Sequence, residues 1–116
     1  MDALEELKVW RRSKSLAVDI YKVMANCHDY GFKDQVTRAS VSIPSNIAEG
    51  YERNSKKEFI NFLRFARGSC AELRTQLQIA EEIGLIKGDS ATRLQQESLE
   101  ISKMLQGLIN HCKRAV

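Results

Sequence analysis

Ser55-Lys56-Lys57-Glu58-Phe59-Ile60-Asn61-Phe62-Leu63-Arg64-Phe65-Ala66-Arg67-Gly68-Ser69-Cys70-Ala71-Glu72-Leu73-Arg74-Thr75-Gln76-Leu77-Gln78-Ile79-Ala80-Glu81-Glu82-Ile83-Gly84 carries the most regular pattern in the chain. Ser55 and Glu58 stand three apart, the spacing at which a serine caps a helical amide and a glutamate reaches back. Phe59, Leu63, Ala66, Cys70, Leu73, Leu77, Ala80 and Gly84 then follow in steps of four and three. That repeat keeps one apolar seam facing a partner helix with a shallow left-handed crossing. Gly84 supplies the stop, since glycine accepts the left-handed conformation that ends helices.

The same alternation recurs on both sides. Val9, Ser13, Leu16, Ile20, Val23 and Cys27 form one face of a helix from Asp2 or Leu4 to Asn26 or His28, widened by Trp10, Ala17, Tyr21 and Met24. Asp29-Tyr30-Gly31-Phe32 reads as a break with Gly31 as its left-handed cap. Val36, Ser40, Ile43, Ile47 and Gly50 phase a second helix from Lys33 to Gly50. Pro44 falls inside it, which predicts a kink rather than a break, because the apolar phase is unchanged across it. Ser40 and Ser42 can bond the carbonyls that the proline frees. Leu94, Ser98, Ile101, Leu105, Leu108 and Cys112 phase the last helix, from Asp89 or Ser90 to about Lys113. Four such helices with short connections predict one all-α domain over 1–116, an antiparallel up-down-up-down four-helix bundle.

Composition agrees. Of 116 residues, one is proline and six are glycine, too few for the turns of an all-β chain. Eighteen Lys and Arg against 15 Asp and Glu give a net charge of +3, compatible with an acidic partner such as RNA. Three cysteines without regular spacing fit reduced thiols better than a disulfide framework. There is no apolar signal core and no membrane-length apolar run, so a soluble, cytoplasmic protein without a membrane partner is expected.

Catalytic and metal chemistry find little footing. Cys27-His28 and His111-Cys112 resemble paired ligands, but an up-down-up-down bundle puts them roughly 30 Å apart, beyond one zinc ion. Glu-x-x-His does not precede either histidine, and no phosphate loop or Gly-x-Ser-x-Gly is present. The expectation is a non-enzyme with no cofactor, no metal and no small-molecule substrate.

Three surface features remain. Tyr21 and its neighbours on the first helix, with Phe62, Phe65, Ile79 and Ile83 on the third, exceed what a four-helix core needs. They read either as a wide core stripe or as a second buried face, hence an oligomer. Arg38, Ser42, Ser45, Glu49 and Glu52 form a polar stripe beside the apolar one, with Asn46 at its border. It either satisfies itself around Pro44 or serves an interface between subunits or partners. Arg53, Lys57, Arg64, Arg67 and Arg74 keep heptad phase one residue from the third helix's seam, while Lys8, Arg11, Arg12 and Lys14 cluster near the N-terminus. These flanks are either solvated and salt-bridged or able to track a phosphate backbone.

The run from Gln35 to Gly50, containing Ser42-Ile43-Pro44-Ser45-Asn46-Ile47-Ala48-Glu49-Gly50, is distinctive. Together with Val9-Trp10, Ile20-Tyr21, Arg53, Ser55, Glu58-Phe59, Phe62-Leu63, Ala66, Gly68-Ser69, Glu72-Leu73 and Gly84-Leu85-Ile86, it resembles the bundle family named after proteins encoded in intervening sequences of bacterial 23S ribosomal RNA genes. The likeness covers most of the chain and departs at Asn26-Cys27-His28-Asp29, where members often carry a Phe-Pro turn. It implies an antiparallel four-helix bundle that closes into a homopentameric ring. It also implies distant kinship with accessory variability proteins of diversity-generating retroelements, which bind nucleic acid through a basic surface. The family it resembles has no established biochemical activity, and its name records where some of its genes lie rather than what the protein does. The expected partners are further copies of the chain and structured RNA or a ribonucleoprotein; the alternative is a protein–protein assembly module without nucleic acid. Arg11, Arg12, Arg53, Lys57, Arg64, Arg67 and Arg74 are the candidate nucleic-acid contacts. Arg38, Ser42, Pro44, Ser45, Asn46, Glu49 and Gly50 are the candidate interface.

Overall fold

Ser55 begins the longest helix as the sequence predicts. Its Oγ accepts the Glu58 amide at 3.1 Å and donates to the Glu58 carboxylate at 3.3 Å. The glutamate therefore reaches back to the hydroxyl of the cap. This helix, α4, spans Lys56–Glu82 in a computed structural model that describes residues 3–114. Before it come α1 (Ala3–Glu6), α2 (Lys8–Val23) and α3 (Tyr30–Tyr51), and after it α5 (Asp89–Arg114). No strand occurs among the described residues. Gly84 and Gly88 take positive φ, 78° and 64°, and turn the chain from α4 into α5.

Two boundaries differ from the pattern. The first helix is divided at Leu7, whose ψ of 113° is extended. The Arg11 guanidinium donates to the Glu5 carbonyl at 2.8 Å, so the end of α1 is satisfied by a side chain from α2. Asp2, one of the two predicted helix starts, lies outside the described residues. Gly31 is not a left-handed cap; it sits in the first turn of α3. Asp29 caps that helix instead, accepting the Phe32 amide at 3.1 Å, so α3 begins three residues earlier than predicted.

α3 stays continuous through Pro44. Ser40 Oγ donates to the Thr37 carbonyl at 2.8 Å and Ser42 Oγ to the Ala39 carbonyl at 2.7 Å. Both hydroxyls thus serve carbonyls upstream of Ser40's own, the one whose i+4 amide Pro44 lacks.

α3 packs against α2 and α4, and α5 against α4 and α2, so the four long helices close a cycle, with α1 resting on α2. Val9, Leu16, Ile20, Val36, Ile43, Ile47, Leu63, Leu73, Leu77, Leu94, Ile101 and Leu105 fill its centre. The predicted α4 seam is buried from Leu63 to Ala80. In α5 the buried stripe runs from Leu105 through Ile109 to Cys112, and Leu108 is only partly buried. Gly50 lets α3 and α4 meet closely: a Cβ there would lie 2.6 Å from Phe62 Cβ. The chain forms a rod of 48 × 23 × 22 Å. Among the described residues no helix is long and apolar enough to cross a membrane.

Candidate nucleic-acid interface

The basic flank of α4 does not stay together as one free stripe. Arg53, just before α4, pairs with Glu49 at 3.1 Å and approaches Glu58 at 3.9 Å, with its guanidinium 4.9 Å above the Phe62 ring. Arg67 turns across to α5 and donates to Gln106. Arg74 is half-buried near Cys70, with Nη1 enclosed. Lys57 and Arg64 remain exposed, and among the described residues no carboxylate pairs with either. These two meet Lys56 from the start of α4 and Lys113 from the end of α5 around a depression of about 450 Å³. Asn61, Ile60 and Cys112 complete its lining. Lys113 was not among the residues singled out by pattern. It becomes visible once the start of α4 is set beside the end of α5.

The N-terminal cluster separates as well. Arg11 caps α1. Arg12 forms a forked pair with Glu97 of α5, Nε to Oε2 at 3.0 Å and Nη2 to Oε1 at 2.5 Å, and its Nη1 lies 3.5 Å from Met104 Sδ. The Glu97 hydrogen bond raises the Arg12 pKa further, against a smaller opposing effect of burial. Arg12 is therefore a clamp between α2 and α5, with little left for a ligand. Lys14 covers the Trp10 ring at 4.8 Å.

The motif residues of α3 divide by face. Pro44 and Gly50 are buried, Arg38, Ser45 and Glu49 are exposed, and Ser42 and Asn46 lie between. Arg38 pairs with Asp34 at 3.1 Å, both exposed. Asn46 Nδ2 donates to the Ser42 carbonyl at 2.8 Å, within its own helix. Beside them, Val18 and Tyr21 of α2 and Val41 of α3 are exposed and line an almost wholly apolar groove floored by Ala17 and Pro44 and flanked by Lys14 and Lys22. Tyr21 is thus exposed here, unlike Ala17 and Met24 of the same stripe. On α4, Phe65 and Ile79 are exposed as well, as is Ile83 at its C-terminal cap.

Cys27 Sγ donates to the Asp29 carbonyl at 3.7 Å, and His28 Nδ1 lies 3.4 Å from the Tyr30 hydroxyl. Cys112, of the other Cys-His pair, is buried. Among the described residues no group of three or more His, Cys, Asp or Glu could hold a metal ion. Burial pushes the Cys70 thiol up to about 11, partly countered by Arg74 and by a hydrogen bond involving Ser98. Ser98 Oγ, from α5, also donates to the Cys70 carbonyl at 3.1 Å.

No curated protein matches the chain. Among solved structures, the chain is similar to a protein of unknown function from the S23 ribosomal protein family of Bacteroides thetaiotaomicron VPI-5482. The identity is 28%, the TM-score 0.81, and the match covers 87% of this chain and 97% of that one. Residues 5–107, from α1 into the last turns of α5, match the family described as 23S rRNA-intervening sequence protein. That match takes in nearly the whole packed cycle of helices, and the chain belongs to the 23S rRNA-intervening sequence protein family.

Proposed function

We propose that the chain is a non-enzymatic, ring-forming four-helix bundle that binds structured RNA or a ribonucleoprotein through the exposed cations of α4. An antiparallel arrangement is supported by cross-helix pairs. Arg12 meets Glu97, while Asp19, further along α2, lies 3.7 Å from Arg93, earlier in α5. Lys56 at the start of α4 shares a depression with Lys113 at the end of α5.

The observation that carries the reading is the convergence of Lys57 and Arg64 with two further lysines and no carboxylate among the lining residues. Bringing four like charges together costs free energy that a polyanion relieves, with release of its counterions. In a ring this array would repeat in every subunit, so weak contacts would add through avidity. No base-reading motif accompanies the cations, so binding is expected to be largely independent of sequence.

Fluorescence anisotropy with a labelled RNA hairpin between 50 and 200 mM salt, roughly the range over which phosphate contacts lose most of their affinity, tests this. Affinity should fall steeply with salt. The double variant Lys57→Glu/Arg64→Glu should weaken binding to unrelated hairpins alike and reduce the salt slope by about two. Its circular dichroism should be unchanged, because exposed charges contribute under about 1 kcal/mol to folding. Undiminished RNA binding by a folded double variant overturns the reading.

The second reading, an assembly module without nucleic acid, is favoured by the apolar groove of Val18, Tyr21 and Val41. A second copy of the chain seated there would cover it, and repetition of such a head-to-tail contact would close the ring, pentameric by the family resemblance. Native mass spectrometry of Tyr21→Asp/Val41→Asp should show monomers where the parent shows a ring. A parent that is monomeric at every concentration removes the ring from the proposal.

A further inference from the structure

The depression between the first turns of α4 and the last turn of α5 has a more particular chemistry than a basic flank. We infer that it is a site for a phosphate monoester, carried on the end of a nucleic-acid strand or on a free nucleotide. The inference deepens the nucleic-acid reading, with which it shares Lys57 and Arg64, and adds Lys56 and Lys113.

Charge selects the ligand. Four cations line the depression, and among the described residues no acidic side chain does. Glu58, the nearest carboxylate along α4, is engaged by Ser55 and faces Arg53. Among the described residues the only other ionisable group in the lining is the Cys112 thiol, which burial pushes up although Lys56 partly opposes the effect. The described lining therefore supplies no anion of its own. A backbone phosphodiester would bring one negative charge, whereas a monoester brings about −1.5 to −2 near neutral pH and a third acceptor oxygen. The dianion is the better match to four donors that no carboxylate in the lining occupies, since charge-assisted hydrogen bonds are the strong ones.

Shape adds the rest of the ligand. The space of about 450 Å³ is far larger than a bare phosphate needs and falls within the range of small-molecule sites. Its lining is mostly apolar by area, contributed by Ile60, Cys112 and the lysine stems. A ribose edge or a base can lie on that surface while the phosphate meets the charged rim. Arg64 presents a planar fork to two phosphate oxygens, and the lysines act as point charges around it. Asn61 offers an amide for a hydroxyl or base edge.

The test uses the full chain and a pair of 12-nucleotide RNAs of one sequence, one with a 5′-phosphate and one with a 5′-hydroxyl. The 5′-phosphorylated strand should bind about tenfold more tightly, as expected for added charge-assisted bonds. Lys56→Ala/Lys113→Ala should abolish that preference, and retained circular dichroism would show the variant folded. Calorimetry with AMP and adenosine separates the sources: AMP binding with no binding of either RNA leaves the monoester site standing on a free nucleotide and removes the nucleic-acid reading. Equal binding of the two RNAs, with no AMP binding, overturns the monoester site. If Lys57→Glu/Arg64→Glu still weakens both RNAs in that case, the broader RNA reading survives its loss.

Discussion

Gly50 leaves no space for a methyl group where α3 crosses α4. An added Cβ would stand 2.6 Å from Phe62 Cβ and 3.1 Å from a Phe59 ring carbon, and Phe62 Cβ is fixed to the α4 backbone. Gly107, inside α5, has nothing within 4 Å of the same position. The two glycines should therefore respond oppositely to alanine. Gly107→Ala gains helix propensity and should raise stability by about 0.5–1 kcal/mol. Gly50→Ala gains the same propensity but must push α3 and α4 apart, an overpacking cost of about 1–3 kcal/mol, so a net loss is expected in urea denaturation. Asn46 shows how a side chain's surroundings change its expected importance. At the border of the polar stripe it could satisfy itself around Pro44 or serve an interface; its amide bonds the Ser42 carbonyl of its own helix, so within the chain Asn46→Leu should strand no group on another helix. Cys70 gives a pH dependence. Its thiol titrates near 9 when unfolded and about 11 when folded, so between those values the unfolded chain has lost a proton that the native chain keeps. Stability should be fully present below pH 9 and decline toward pH 11, by about 2–3 kcal/mol at most. Alkaline thermal melts of the parent and of Cys70→Ala check this; a parent no more pH-sensitive than the variant contradicts it.

Helix existence and phase were readable; helix ends were readable only where the terminating chemistry is local. Ser55 and Gly84 act through a neighbouring amide and through φ, and both stand where the pattern put them. Asp29 is equally local, but Gly31 two residues later is a competing signal, and a glycine is as welcome in a first helical turn as after a last one. The cap decides it: Asp29→Ala should cost about 1 kcal/mol through loss of the bond to the Phe32 amide. Thermal melting measures that loss, and Asp29→Ser should recover most of it. The division at Leu7 had no such signal, since no glycine or proline marks it and the Arg11 side chain that satisfies Glu5 lies a full turn beyond. The basic flank was half legible for the same reason. Heptad phase places Arg53, Lys57, Arg64, Arg67 and Arg74 on one side of a helix, but the fates of Arg53 and Arg67 depend on Glu49 of α3 and Gln106 of α5, which phase within one helix does not reveal.

Across the whole molecule, three of the four contacts in the cycle join helices that follow one another in the chain, and only α2 with α5 joins its distant ends. That asymmetry sets an order of events. Pairs of neighbouring helices close small loops at little entropic cost, so most of the rod can assemble quickly, in the microsecond to millisecond range of helical proteins. The seam between α2 and α5 must wait for the rest, and the Arg12–Glu97 clamp across it spans 85 residues. Interactions formed after the barrier govern how long the native state lasts rather than how fast it appears. Glu97→Gln should therefore steepen loss of the folded state, raising the unfolding rate severalfold, and leave the refolding rate nearly unchanged. Stopped-flow measurements of both limbs resolve this, and an equal slowing of refolding would place the clamp in the nucleus instead. In a cell the same seam would be the place where the chain first breathes, so its lifetime against proteases draws on the ion pairs Arg12–Glu97 and Asp19–Arg93 that cross it.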